Sequence, residues 1–363
     1  MARSIMSRRQ GIYTSSSDAS GALQAGLVQK TFSALMAQYP NHTLAPALSC
    51  YTTASADSLL PLWANTTTAL KFSLDRLSAG NALVGLSAQT GEDRYQRAGE
   101  VLRASIDANS RSSEGGLWYY VYPNWSYLDG MFSFGPFWAL WTATHDARNA
   151  TAWAELKSQF GLLARRCQVE GSDLLVHGYD DSRTAVWANN SRGQSPHVWG
   201  RSLGWYVLGL LETISELDRA SAGGALRDDF VAEFQRRMGA VVDAVDAATG
   251  AWWQLLDAPG RQGNYVESSA SAMFTWALLR GAREGHLNAT HVDVGRRAYA
   301  HLKDTFVVHS GNGTLGWNGT VSVCSLNSTA SFEYYTTRPI LYNSVLGSAA
   351  FVGASLEVER LGC

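Results

Sequence analysis

A weak internal repeat constrains the fold more than any other feature of the chain. Five segments share one plan, in which a polar residue sits beside small residues and an apolar helix of similar length follows. They begin at Asp75 (LDRLSAGNALVGL), Asp129 (LDGMFSFGPFWAL), Arg201 (GRSLGWYVLGL), Glu267 (VESSASAMFTWALL) and Asn343 (YNSVLGSAAFVGA). Successive starts are 54, 72, 66 and 76 residues apart. Each interval accommodates one helix out, one helix back and their loops. A chain of 363 residues has room for about six such hairpins. Small residues let these helices pack closely as an inner ring, so their polar first residues gather at one rim. The architecture implied is all-α: a single-domain (α/α)6 barrel over residues 1–363, with its pocket at the open end of the inner helices.

Apolar periodicity agrees. It predicts helices over Ala22–Gln38, Ala82–Gln89, Arg94–Ala108, Phe132–Thr144, Ala152–Arg166, Leu203–Leu217, Leu226–Ala247, Ser268–Arg283, Val292–Phe306 and Ser344–Leu361. Strand-like alternation is brief, as in Thr320–Cys324. Turn clusters at Ser112–Gly116, Ala222–Gly224 and Ala258–Gly263 are short, and no Pro/Ser-rich linker divides the chain.

A formal charge of −2 supplies no basic field for a polyphosphate, which argues against nucleic acid as a partner. No apolar run approaches the ~20 residues needed to span a bilayer, and Met1–Gln10 is amphipathic rather than signal-like. Membrane association is therefore not expected, and the chain reads as a mature form without a signal peptide. Nine of the 14 asparagines open an Asn-x-Ser/Thr sequon: Asn41, Asn65, Asn124, Asn149, Asn189, Asn288, Asn312, Asn318 and Asn327. Chance would give roughly two or three. The excess points to a secreted, extracellular eukaryotic glycoprotein, with N-glycans on some of these sites. Cys50, Cys167, Cys324 and Cys363 are scattered without zinc-type spacing, so disulfides are expected, in any of three connectivities.

Chemistry concentrates in Trp125–Phe137, around Asp129, and in Trp199–Tyr206, around Arg201. An Asp at a helix start is ordinarily an N-cap, a reading that suits Asp75 and Asp129 alike. Asp129 stands out by its company: Trp118, Tyr119, Tyr120, Tyr122, Trp125, Tyr127, Phe132, Phe134, Phe137 and Trp138 fall within twenty-one residues. Phe134, Phe137 and Trp138 read as core packing. Tyr127, Trp199 and Trp205 flank the polar groups and are the candidates for stacking on a sugar. A carboxyl shielded by rings suits proton donation, which makes Asp129 a candidate general acid. Arg201, forked and set between indoles, suits a substrate carboxylate, which implies an acidic sugar. Glycosidases usually need two carboxylates, and Asp75 is the second candidate because the repeat sets it on the adjacent inner helix. His177 in VHGYDDS is isolated and, alone, reads as a satisfied loop residue.

The ordered blocks FSLDRLSAGNALVGL, GGLWYYVYPNWSYLDGMFSFGPF, HGYDDS, WANNSRGQSPHVWGRSLGWYVLGLLE, YVESSASAMFTWALLRGA, TVSVC and YYTTRPILYNSVLG resemble glycoside hydrolase family 105, the unsaturated rhamnogalacturonyl hydrolases. The resemblance runs from Phe72 to Ala354, and the related unsaturated glucuronyl hydrolases of family 88 share the barrel and some positions. It implies removal of a 4,5-unsaturated uronic acid from the non-reducing end of lyase-cut oligosaccharides, as in pectin breakdown. In such enzymes an Asp protonates C4 of the enol ether and assists water at C5, and the hemiketal then collapses. By motif Asp129 is that acid/base and Asp75 the second acidic residue. His177, Tyr127, Trp199, Arg201 and Trp205 match substrate-binding positions, and no metal or organic cofactor is implied. A single group that gives and then takes a proton can serve a hydration, so Asp75 need not be a nucleophile. The chain departs from the pattern at Tyr119, where many members have His, and at Tyr127, where they have Trp.

Other readings differ in what they require. Unsaturated glucuronyl hydrolases acting on ulvan-like or glycosaminoglycan-like products present the same end group to the same Asp. A sugar epimerase on this barrel needs paired acid/base groups, which His177, His197 and His301 do not obviously supply. A non-catalytic glycan-binding protein needs the rings and Arg201 but no poised acid.

Overall fold

The computed structural model describes residues 1–14, 20–220 and 224–362. Its inner ring consists of six helical segments: Gly21–Gln38, Leu74–Ala79 running as a 3-10 turn into Gly80–Thr90, Gly130–His145, Gly200–Arg219, Ser268–Arg283 and Val345–Arg360. Each packs on the next, and the last returns to the first, so the ring closes as an (α/α)6 barrel. Between them run the outer helices Ala45–Leu59, Asp93–Asp107, Ala150–Cys167, Ala225–Asp243 and His291–Phe306. The short Ala2–Ser7 helix packs against Val345–Arg360 where a sixth outer helix would stand.

The two rings differ as their sequences dictate. Outer helix Asp93–Asp107 buries Tyr95, Ala98, Gly99, Leu102, Ser105 and Ile106, an i, i+3, i+4, i+7 stripe, and exposes the rest. Inner helices Gly130–His145, Gly200–Arg219, Ser268–Arg283 and Val345–Arg360 are buried nearly all round, and small residues permit their approach. A Cβ on Gly209 would meet the Met131 backbone at 2.7 Å, and one on Gly26 would meet Ser78 at 2.5 Å.

Several expected boundaries moved. Gly200–Arg219 begins earlier than its apolar periodicity because Gly200, Arg201 and Ser202 form its first turn, Gly130–His145 also begins earlier than expected, and Ala225–Asp243 ends before Ala247. The expected turn at Ala222–Gly224 lies mostly outside the described residues. Among the described residues, strands pair as three two-stranded ribbons, with a few isolated bridges besides. One joins Trp125–Tyr127 to Gly178–Asp180, with Tyr127 opposite Gly178, and another joins Thr320–Val321 to Ile340–Leu341. The expectation of disulfides is not met among the described residues. Cys50 is exposed on an outer helix, Cys167 and Cys324 are buried in separate places, and all three thiols are free. Cys363 lies outside the described residues. No helix there is long and apolar enough to cross a membrane.

Candidate active site

The starts of the inner helices meet the Trp125–Tyr127 ribbon at one rim, and the sequence-predicted polar groups converge there. Asp129 holds the position before Gly130–His145, yet its side chain makes no capping bond. It turns to the neighbouring inner helix, where Ser202 Oγ donates a hydrogen bond to Asp129 Oδ2. His177 Nε2 lies 3.2 Å from the same oxygen, outside hydrogen-bond alignment. The ribbon positions that histidine: Leu128 N donates to His177 O at 3.1 Å. His177 Nδ1 lies 2.7 Å from Tyr335 Oη, and the wholly buried ring stands edge-on to Tyr127 and tilted against Trp199.

Asp75 reaches the cluster from the Leu74–Ala79 turn, with Tyr119 Oη donating to its Oδ2 at 2.6 Å. Gly130 permits the approach, since a Cβ there would stand 2.9 Å from Leu74 Cδ1. Burial pushes the Asp75 carboxyl up to about 7; the Tyr119 bond opposes that shift and the nearby Asp129 charge reinforces it. Sequence reasoning offered Asp75 as a second catalytic carboxyl that need not be a nucleophile and foresaw no such shift.

Arg201 is the second residue of Gly200–Arg219 and is 1% exposed. Its Nη2 donates to the Val321 and Ser322 carbonyls, its guanidinium lies 4.9 Å from the Trp199 ring centre, and its Nε has no partner. Among the described residues no carboxylate lies within ion-pair distance of it. A buried charge without a counterion is costly. Carbonyl dipoles and an indole face compensate only in part, which leaves a place suited to an incoming anion.

The three expected stacking rings are placed differently from one another. Tyr127 is 2% exposed and stacks on Tyr119 with centroids 4.3 Å apart. Trp199 takes the Arg201 guanidinium, and its indole N–H donates to Gln254 Oε1 at 3.1 Å. Trp205, one turn beyond Arg201, lies in the main core 4.8 Å from Phe132 and does not join the cluster. Its expected sugar contact is corrected to a packing role. Glu267, which opens another repeat, caps its helix through Ala270 N at 2.7 Å and also accepts from Val321 N.

Sequence reasoning missed Ser202, Tyr335 and Gln254, and noted Tyr119 as one of the rings near Asp129 and as a departure from a family pattern but gave it no role. Ser202 carried a faint signal, a polar side chain within an apolar inner helix; Tyr335 and Gln254 carried none. A cavity of about 690 Å³ opens at the opposite end of the barrel, lined by residues such as Lys30, Glu212 and Arg280, and none of the Asp129 cluster borders it. Among the described residues no three His, Cys, Asp or Glu side chains gather as a metal site.

Two carboxyls, a histidine and a guanidinium without a counterion thus gather at the rim of an (α/α)6 barrel. The chain belongs to Glycosyl Hydrolase Family 88, whose family profile matches residues 26–362. It is similar to a 24.9 kDa protein of the picA locus of Rhizobium radiobacter, 36% identical over 198 residues, covering 52% of this chain and 83% of the relative. Among solved structures it is similar to a C. acetobutylicum glycoside hydrolase from family 105, with 28% identity, coverage of 99% and 98% of the two chains and a TM-score of 0.87. The unsaturated glucuronyl hydrolase of Bacillus sp. GL1, described as responsible for glycosaminoglycan degradation, shares the fold at 15% identity, with 99% and 94% coverage and a TM-score of 0.68.

Proposed function

We propose that the chain is a family 105-type unsaturated uronyl hydrolase acting on lyase-cut oligosaccharides, rhamnogalacturonan products foremost. The observation that carries this reading is the buried, unpaired Arg201 beside the Asp129 cluster. A guanidinium so placed recognises a planar carboxylate, and the unsaturated uronate has one next to its double bond. Asp129 donates a proton to C4, and water adds at C5 while the same carboxylate takes the water's proton. The hemiketal formed at C5 opens, and the aglycone leaves as an alcohol. The Ser202 hydroxyl holds Asp129 in place, with His177 beside it, and no second nucleophile is required.

The test follows the ultraviolet absorbance of the double bond in lyase-cut oligosaccharides. Wild-type protein abolishes it, whereas Asp129→Asn slows the loss by at least about 10²-fold, within the range for general acid–base groups. Persistent absorbance with wild-type protein on every substrate of a rhamnogalacturonan, ulvan and glycosaminoglycan panel overturns the reading, and the same panel identifies the polymer.

Secretion belongs to the same proposal. Asn41, Asn65, Asn189, Asn288, Asn312, Asn318 and Asn327 are exposed and Asn124 and Asn149 half-buried, so no sequon is hidden in the core. Asn149 is already engaged as a helix cap, bonding Ala152 N and Asp146. Deglycosylation of protein from a eukaryotic host should therefore lower its mass, with Asn149 least occupied; an unchanged mass counts against the secreted reading.

A further inference from the structure

We propose that Tyr119 is a positioning residue of this centre: its hydroxyl holds Oδ2 of Asp75 so that the other carboxyl oxygen, Oδ1, is kept for a hydroxyl of the bound sugar. The inference rests on the reading of the rim as the active site.

Four observations carry it. Tyr119 is fastened to the Asp75 turn twice, since Leu74 N donates to Tyr119 O at 2.8 Å and Tyr119 Oη donates to Asp75 Oδ2 at 2.6 Å. The ring cannot swing away, because it stacks on Tyr127 at 4.3 Å and 10° while Tyr119 N donates to Trp125 O at 2.8 Å. Asp75 is 4% exposed, and its Oδ1 has no partner. A buried carboxyl oxygen left unbonded is a costly arrangement that a ligand donor would relieve. Finally, the adjoining cation is occupied elsewhere: Arg76 points to the Asp93–Asp107 side, bonding Ser105 Oγ at 2.8 Å and Asn109 Oδ1 at 2.8 Å.

The groups facing Asp75 are therefore Tyr119 from the segment before Gly130–His145, Asp129 at the start of that helix, and Ser73 and Arg76 from its own turn. Of these, Tyr119 gives its side chain the dominant hydrogen bond, at 2.6 Å, and the Ser73 hydroxyl pulls weakly in the same direction. The bond favours the charged form. Its removal should raise the proton affinity of Asp75 by about tenfold, one pH unit.

Tyr119→Phe retains the ring stack and both backbone bonds, so it separates the hydroxyl from the packing. Two measurements are made on the wild type, Tyr119→Phe and Asp75→Asn. One is the carboxyl C=O infrared band as a function of pH, which needs no turnover. The expected result is a titration present in wild type, absent in Asp75→Asn, and moved about one unit upward in Tyr119→Phe. The other is the pH profile of kcat/KM on the unsaturated substrate, in which the limb lost in Asp75→Asn moves upward by the same amount in Tyr119→Phe. An unmoved infrared titration in Tyr119→Phe overturns the proposal whatever the activity. A moved titration in a protein inactive on all unsaturated substrates keeps the pairing and removes the catalytic reading instead.

Discussion

Replacing Arg201 by Met isolates the role of the unpaired guanidinium. Met fills the space of the arginine stem but carries no charge. A hydrogen bond from a charged donor is worth ~1.5–3 kcal/mol. A forked pair to one carboxylate is not additive, so the loss on binding is about 3–4 kcal/mol, roughly 10²–10³-fold in kcat/KM. Stability should respond differently. The Val321 and Ser322 carbonyls lose a donor, at ~1–3 kcal/mol, but a buried charge with no counterion is removed with it. These contributions oppose each other, so the melting temperature should stay within about 4 °C of wild type. The assay compares kcat/KM on the unsaturated uronide and on its C6 carboxamide, with melting followed by circular dichroism. Wild type should prefer the acid strongly and Arg201→Met should discriminate little. A variant that loses activity equally on both substrates, or one whose preference for the acid persists, refutes carboxylate recognition by Arg201.

Three further outcomes are expected. Trp205→Leu should destabilise by ~3 kcal/mol, as large-to-small core changes do, while KM stays unchanged; a raised KM in folded protein would return Trp205 to the substrate site. Arg280→Ala should cost ~3–5 kcal/mol because Glu212, 7% exposed, keeps only Lys30 at 3.6 Å. Burial alone would raise the Glu212 carboxyl, but Arg280 and Lys30 outweigh it and hold it below its ordinary value. That stabilisation is present above the unfolded carboxyl pKa and disappears as pH falls through the lower folded value, so denaturant curves of wild type and variant should converge below about pH 4. Asp75 has the opposite sign, since its folded carboxyl is raised to about 7. Its penalty grows from about pH 4 and levels off above about pH 7, reaching at most ~4 kcal/mol. Asp75→Asn should accordingly melt higher than wild type at pH 8 and nearly with it at pH 4, and equal shifts at both pH values would contradict the assignment.

The barrel was legible because each inner helix must be small and apolar all round while its partner is apolar on one stripe, and that difference is written in the residues. The repeat captured five of the six inner helices. Gly21–Gln38 was visible as a helix but was not counted among the five repeat segments. The outer helix Ala45–Leu59, APALSCYTTASADSL, was missed because small and hydroxyl residues dilute its apolar stripe. At the site, the signal lay in residue types and failed on directions. Asp129 occupies the N-cap position that the sequence suggested, but only the fold shows its side chain turned to Ser202. Trp199 and Trp205 look equivalent around Arg201 in the sequence. Trp199 lies at the helix start beneath the guanidinium, and Trp205 is carried by the helical turn into the core. Contacts between distant segments, such as Tyr335 with His177 and Gln254 with Trp199, had no local trace.

The accounting of charge at the rim separates this centre from an ordinary two-carboxylate glycosidase. In such an enzyme both acids stand free to flank the scissile bond, one of them as base or nucleophile. Here Asp75 is tied to Tyr119, its carboxyl raised toward neutrality by burial and by Asp129, which suits it to hydrogen bonding rather than to attack. Asp129 alone is joined to the hydroxyl of Ser202 and approached by His177. Arg201, with no acid of its own, requires an anion from outside to balance it. A neutral glycoside would leave that guanidinium unpaired, whereas a uronate supplies the missing charge. On the proposed reading, the arrangement favours an acidic sugar and leaves proton transfer to Asp129. That is the division of labour a double-bond hydration requires, and a direct displacement at the anomeric carbon does not.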